Sequence, residues 1–370
     1  MTAQSAEMET MGHRALGADR MPSARNATRV MIVDDSLTVR TALARMIDAE
    51  PDLAVVHKTS SAELALAQLA GMAVDVLLLD LEMPGIGGLA ALPQILSANP
   101  DLRVCIVSSL TAAGAGHTID ALAMGAADTM LKPRRGQYGD AYRRVLIEKI
   151  RALAPDRPGI GVPPPVIETQ VAAPRRRPRI LALGASTGGI HAICQFLQML
   201  PDTVDLPIVV TQHLPPSFMP LFARQVQLAS GRRAQVAQTY TPLRPGHIYI
   251  APGDGHLTVR REGETFCAMI SGLDAVSGCM PSVDPMLSSI AAVTGGDAIA
   301  VILSGMGRDG AQGAAALADA GGMVLAQDRI SAAVWGMPGT VARQGTVTAL
   351  LPPDRLAHTI ADIWDRAPWK

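Results

Sequence analysis

Arg179-Ile180-Leu181-Ala182-Leu183-Gly184-Ala185-Ser186-Thr187-Gly188-Gly189 is a short apolar run that turns sharply through small residues. The run reads as a buried strand, and Ile190, Ile193, Phe196, Leu197 and Leu200 follow it at helical spacing. Ser186 therefore sits on a strand-to-helix corner, between glycines that let backbone come close. The N–H groups at the start of the helix favour a developing negative charge there. Gly184 to Gly188 also fits the G-x-S-x-G nucleophile pattern. A plain glycine turn or a phosphate cradle can look the same over five residues. The dinucleotide glycine pattern and the P-loop Gly-Lys-Ser/Thr are both missing, however. The serine needs partners before it means chemistry.

Downstream, Leu206 to Gln212 reads as a strand ending at His213, and Phe218 to Leu228 as a helix. Ala234 to Ile270 holds several short strand patterns broken by glycine and proline. A helix over Asp284–Val293 and a strand over Asp297–Leu303 lead into the glycine loop Ser304-Gly305-Met306-Gly307-Arg308-Asp309-Gly310. A helix over Ala311–Ala320, short strands at Met323–Leu325 and Thr346–Leu350, and a helix over Leu356–Trp364 complete the chain. Ser186, His213 and Asp309 each fall at or just after the carboxyl end of an expected parallel strand, and such ends can meet in one crevice. A serine hydroxyl is a weak nucleophile until a base takes its proton, and a carboxylate can orient a histidine for that task. His247 and His256 compete for the base role, and Asp284 is the main rival to Asp309. His213 is favoured because its strand neighbours the serine strand, and Asp309 because of its glycine loop. The order Ser, His, Asp differs from the Ser, Asp, His order of α/β-hydrolases, so the elbow pattern does not carry that family with it.

Upstream, five strand–helix repeats run from Val30 to Leu153. They predict a parallel sheet with helices on both faces. Asp34, Asp35, Asp80, Ser108 and Lys132 all fall at carboxyl ends of strands. Three carboxylates in one crevice repel one another unless a hard divalent cation and a phosphoryl group sit among them, and magnesium suits such oxygen ligands. Lysine adds a compact positive charge for phosphoryl oxygens. Between the two halves, seven of the 24 residues from Pro155 to Pro178 are proline, which marks a semi-rigid linker. Arg175-Arg176-Arg177 reads as its solvated end.

The chain has 370 residues, 48% hydrophobic and 18% charged, which suits packed domains rather than disorder. A net charge of −1 and only 3% aromatics argue against nucleic acid. Four cysteines without C-x-x-C pairing indicate a reducing, cytoplasmic setting, with Cys105 and Cys194 as core thiols. The eight histidines have no zinc-type spacing. No run is long enough to span a bilayer. Residues 1–28 are polar and patternless and read as a disordered tail.

The segment from about 29 to 150 resembles a response-regulator receiver domain, on Asp34-Asp35, Leu79-Asp80 with Met83-Pro84, Ser108 and Lys132-Pro133. The resemblance implies a flavodoxin-like fold with a five-stranded parallel sheet. It implies that Asp80 takes a phosphoryl group from a histidine kinase. Asp35, Asp80 and the carbonyl of Glu82 would hold Mg²⁺, with Asp34, Ser108 and Lys132 in support. Gly87-Gly88 departs from the family's frequent Asp-Gly. After the linker, 151–178, residues 179–370 resemble the catalytic domain of the chemotaxis protein-glutamate methylesterases. The matching segments are Gly184 to Gly189, Gln212-His213, Pro281 to Asp284, Ser304 to Gly310 and Gly336-Met337-Pro338. That family implies a doubly wound α/β domain with a mainly parallel sheet, Ser186 as nucleophile, His213 as base and Asp309 as its partner. The N–H of Met306 would serve as oxyanion donor. Implied substrates are glutamyl methyl esters on chemoreceptors, with deamidation of receptor glutamines by the same acyl-enzyme chemistry. The esterase chemistry needs no cofactor. A non-catalytic signalling module with the same fold is the alternative. A DNA-binding regulator is disfavoured by charge and by the lack of a helix-turn-helix pattern.

Overall fold

The computed structural model describes residues 27–109, 112–132, 139–155 and 176–367. Residues 1–26 of the expected tail, most of the proline-rich linker and Pro133 to Tyr138 lie outside the described residues, while Thr28, expected in the tail, opens β1. The first half runs β1 (Thr28–Val33), α1 (Leu37–Asp48), β2 (Leu53–Thr59), α2 (Ala62–Leu69), β3 (Val76–Leu79), α3 (Gly87–Ala98), β4 (Arg103–Ser108), α4 (Ala112–Met124), β5 (Asp128–Leu131) and α5 (Asp140–Leu153). Its strands pair in parallel in the order β2-β1-β3-β4-β5. That is the flavodoxin-like order, with a ligand crevice where β1 meets β3. All four residues of β3 are buried, as a strand covered on both faces requires. Ser36 caps α1 and Ser61 caps α2, each accepting a backbone N–H of the first turn. Strand β1 begins at Thr28, one residue ahead of the expected domain start at 29, and α5 ends at Leu153, as expected of the last helix, three residues beyond the expected domain end at 150.

The second half continues with β6 (Ile180–Ala185), α6 (Gly189–Met199), β7 (Ile208–Gln212), α7 (Met219–Ser230), β8 (Ala234–Val236), β9 (Thr241–Pro242), β10 (Ile248–Ile250), β11 (His256–Glu262) and β12 (Thr265–Ser271). It ends with α8 (Val283–Thr294), β13 (Ala298–Ile302), α9 (Ala311–Asp319), β14 (Met323–Gln327), α10 (Met337–Arg343), β15 (Ala349–Leu351) and α11 (Pro353–Arg366). Seven strands form a parallel sheet in the order β15-β14-β13-β6-β7-β10-β8, and β11, β12 and β9 form a small antiparallel sheet beside it. The fully buried β6 lies between β13 and β7. The chain winds away from β6 in one direction through β7 and returns on its other side as β13. The carboxyl ends of these three strands therefore frame the crevice of this sheet.

Of the described arginines ahead of β6, Arg176 is exposed, as expected of a solvated linker end, whereas Arg177 packs against the second half. The Arg177 guanidinium lies 3.6 Å from the centre of the Trp364 ring, and Arg176 pairs with Asp297 at 3.7 Å. The linker end is thus docked on the second domain. The two halves also share apolar core. Ile119 and Leu122 of α4 belong to one buried cluster with Ile190, Phe218 and Phe222 of the second half.

Candidate active site

Strand register places the first two candidates. Ala185 of β6 pairs with Gln212 of β7, so Ser186 and His213, each one residue further on, are side by side. Neighbouring strands are about 4.8 Å apart, close enough for two short side chains to meet. The hydroxyl of Ser186 lies 3.1 Å from Nδ1 of His213, and Nε2 of His213 lies 2.7 Å from Oδ2 of Asp309. A carboxylate only accepts, so the neutral ring carries its proton on Nε2 and leaves Nδ1 open to the serine proton. The corner itself is fixed by backbone. Ser186 N–H donates to Ser304 O at 3.0 Å, and Gln212 Nε2 donates to Ser186 O at 2.8 Å. Gly188 has φ +75°, and a Cβ there would lie 2.6 Å from Ser304 Oγ, so conformation and space both demand glycine.

Asp309 is 2% exposed. Burial would raise its pKa, but donors from His213, Ser282 and Val283 overcome this and hold it well below the ordinary carboxylate range. Ser282 Oγ donates to Oδ1 at 2.6 Å, Val283 N–H to Oδ2 at 2.7 Å and Gly310 N–H to Oδ1 at 3.0 Å. Ser282 is fully buried. Ser282 lies in the segment Pro281 to Asp284 that carries the family resemblance, but the sequence assigns it no role. Its signal was only a hydroxyl directly ahead of a helix. The rivals fall away on geometry. His256 accepts Ser282 N–H on Nδ1 and donates from Nε2 to Leu273 O, so both its nitrogens are committed away from Ser186. His247 bonds the turn carbonyl of Pro245. Asp284 accepts Gly313 N–H at 2.8 Å, and it has no contact with His213 among the described residues.

Gly305 lies directly against the serine, since a Cβ on it would be 3.0 Å from Ser186 Cβ. Met306 follows, and among the described residues its N–H has no acceptor. The Ser186 N–H, by contrast, is already engaged. Cys279 is also close, with its thiol pKa raised by burial and by the charge of Asp309.

The crevice of the first half has a different chemistry. Asp34 and Asp80 are buried, Asp35 is exposed, and oxygens of the three lie within 4.8 Å of one another. Lys132 Nζ reaches Asp80 Oδ2 at 2.5 Å and Asp34 Oδ2 at 3.1 Å. Burial pushes the Asp80 carboxyl up to about 6, against the lowering effect of Lys132. The buried hydroxyl of Ser108 has no hydrogen-bond partner among the described residues. An orphaned donor beside a lysine and three carboxylates fits a magnesium-bound phosphoryl group. The side chain of Glu82 accepts from Ser109 Oγ at 2.8 Å.

The two halves meet beside the serine. Thr187 Oγ1, next to the nucleophile, donates to Asp128 Oδ2 of β5 at 2.8 Å, and Lys149 Nζ of α5 pairs with the same oxygen at 2.7 Å. Gly188 N–H donates to Ala127 O at 2.6 Å, and His191 Nδ1–H donates to Ala123 O at 2.7 Å. A cavity of about 160 Å³ holds Ser186 and His213, and Leu122, Ala126, Asp128 and Lys149 form part of its wall. The first half therefore roofs the serine.

Two family models match the chain. The response regulator receiver domain matches residues 30–138, and the CheB methylesterase domain matches residues 181–360. A protein-glutamate methylesterase/protein-glutamine glutaminase of Caulobacter vibrioides is 42% identical over 340 residues, covering 90% of this chain and 98% of that protein. One of the same description from Paramagnetospirillum magneticum is 38% identical over 377 residues, covering 93% and 98%. The crystal structure of the Thermotoga maritima CheB methylesterase catalytic domain shares 33% identity with a TM-score of 0.49, covering 50% of this chain and 98% of that one.

Proposed function

This chain belongs to the receiver-linked protein-glutamate methylesterase/protein-glutamine glutaminase family, and on that premise we propose that Ser186, His213 and Asp309 are its catalytic triad. The observation that carries this reading is the continuous line of hydrogen bonds from Ser186 Oγ through both ring nitrogens of His213 to Asp309. His213 Nδ1 takes the serine proton as Oγ attacks the carbonyl of a glutamyl methyl ester. The N–H of Met306 faces the oxyanion, whose charge is worth most to stabilise in a water-poor site. The imidazolium, held by the anionic Asp309, then gives its proton to the departing methoxide, and methanol leaves. Water repeats the cycle on the acyl-enzyme and restores Ser186. A glutamine substrate would release ammonia through the same intermediate. The substrates are glutamyl side chains on the helical cytoplasmic region of chemoreceptors, which places the enzyme in the cytoplasm. The test is methanol release from methylated receptor, which Ser186→Ala should abolish.

The receiver controls this chemistry. Asp80 is the phosphoryl acceptor from a histidine kinase, with Ser108 and Lys132 placed for the phosphoryl oxygens. Mg²⁺ would be held by Asp35, Asp80 and the Glu82 carbonyl, with Asp34 in support, and would neutralise phosphoryl charge. The described arrangement is the covered one. Asp128 and Ala127 lie against Thr187 and Gly188 beside the serine, and a receptor helix cannot reach it until they withdraw.

A further inference from the structure

His213 and Asp309 have a third neighbour in Cys279, on the loop ahead of α8. A ligating atom from each of the three lies within 4.8 Å of the others. Cys279 is also the one cysteine of four that is not buried. We propose that Cys279, His213 and Asp309 form an inhibitory site for a soft divalent cation of the zinc type. The donor set is one sulfur, one imidazole nitrogen and one carboxylate oxygen, which tetrahedral zinc accepts with its fourth position open. Zinc bond lengths put such donors roughly 3.3–3.6 Å apart, so the sulfur needs to close by at most about an ångström while His213 and Asp309, now 2.7 Å apart, part slightly. The three residues come from separate loops, 66 and 30 positions apart, so no sequence spacing announces the site.

The exchange balances. Sulfur–metal, nitrogen–metal and oxygen–metal bonds form, and the hydrogen bonds from His213 Nε2 to Asp309 and from the Cys279 thiol to Ser277 O break. The Cys279 thiol proton leaves to solvent, and the His213 proton moves from Nε2 to Nδ1. With metal on Nε2, the Nδ1–H points at Ser186 Oγ, and the ring has no lone pair for the serine proton. Hard magnesium prefers the all-oxygen cluster of Asp34, Asp35 and Asp80, so the two ions sort by chemistry. The inhibitory consequence rests on the triad reading, whereas metal binding itself does not.

The test uses the full chain in excess Mg²⁺, first with cobalt(II) as a spectroscopic stand-in. The expected result is a near-ultraviolet thiolate-to-cobalt absorbance that zinc displaces and that Cys279→Ser lacks. In the methanol-release assay zinc should then slow the enzyme by about tenfold or more, reversibly with a zinc-selective chelator, while Cys279→Ser relative to its own zinc-free rate resists. Absence of the cobalt–thiolate band, or a band that persists in Cys279→Ser, overturns the site. A Cys279-dependent band without zinc inhibition, or with equal inhibition of Cys279→Ser, overturns its inhibitory role. Residual activity of Ser186→Ala would instead count against the triad itself, independently of the cobalt result.

Discussion

At Ser186 the His213 ring presents Nδ1, and Nε2 is committed to Asp309. Ser186→Ala should lose ester hydrolysis by several orders of magnitude while keeping its thermal midpoint. His213→Ala should fall as far, and the double variant no further, because the pair acts as a unit. Asp309→Asn should lose less, since it orients the ring rather than moving the proton. Retained activity in His213→Ala would refute the base assignment. Ser282 tests the next layer outward. Its hydroxyl is a buried donor to a charged acceptor, so Ser282→Ala should cost about 1.5–3 kcal/mol in kcat/KM, roughly ten- to a hundredfold. The same change made on Asp309→Asn should cost much less. Equal losses in both backgrounds would mean that Ser282 acts elsewhere.

Among the elements, those that position the triad were legible because periodicity is local. The apolar run before Ser186, the strand ending at His213 and the glycine loop around Asp309 each declare themselves within a dozen residues. The support was not legible. Ser282 reaches Asp309, and Thr187 reaches Asp128, only through folding, so no short window of sequence contains either contact. The docking of Arg177 on Trp364 escaped for the same reason. The receiver crevice yields a prediction of its own. Asp80 has a folded pKa near 6, above its ordinary 3.8, chiefly through burial. A raised carboxyl contributes stability that is present below pH 4 and lost as pH rises through 6. Asp80→Asn should therefore stabilise the magnesium-free receiver at pH 7.5 by on the order of 1–3 kcal/mol, and give no such gain at pH 4. Thermal unfolding at the two pH values decides this, and a destabilised variant at pH 7.5 would contradict it. At the domain contact, Asp128→Ala removes the acceptor shared by Thr187 and Lys149. Unphosphorylated enzyme should then turn over receptor faster, by on the order of tenfold if one charged hydrogen bond holds the closed state. An unchanged or lower rate would place the seal in the apolar contacts of α4 instead.

The whole molecule joins two parallel sheets whose crevices carry different side chains, and on the reading proposed above the contact between the halves couples one to the other. Among the described residues no helix is long and apolar enough to cross a membrane. The seal lies at the amino end of β5 and Lys132 just past its carboxyl end, so a change around phosphoryl-Asp80 needs only one four-residue strand and its flanking helices to reach Asp128. A ligand shifts such an equilibrium only as far as it prefers one state, so the proposed lid requires the phosphoryl group with magnesium to favour the open arrangement. Asp80→Ala should keep the basal rate and lose the response to phosphodonor. The most direct measurement is methanol release from methylated receptor membranes by the unphosphorylated full chain and by a fragment beginning at Arg179, each with and without phosphodonor and Mg²⁺. A receiver-lidded serine esterase predicts a slow full chain that phosphodonor accelerates only with Mg²⁺, and a fragment that is faster than the unphosphorylated chain and indifferent to both. A fragment no faster than the unphosphorylated full chain would contradict the lid.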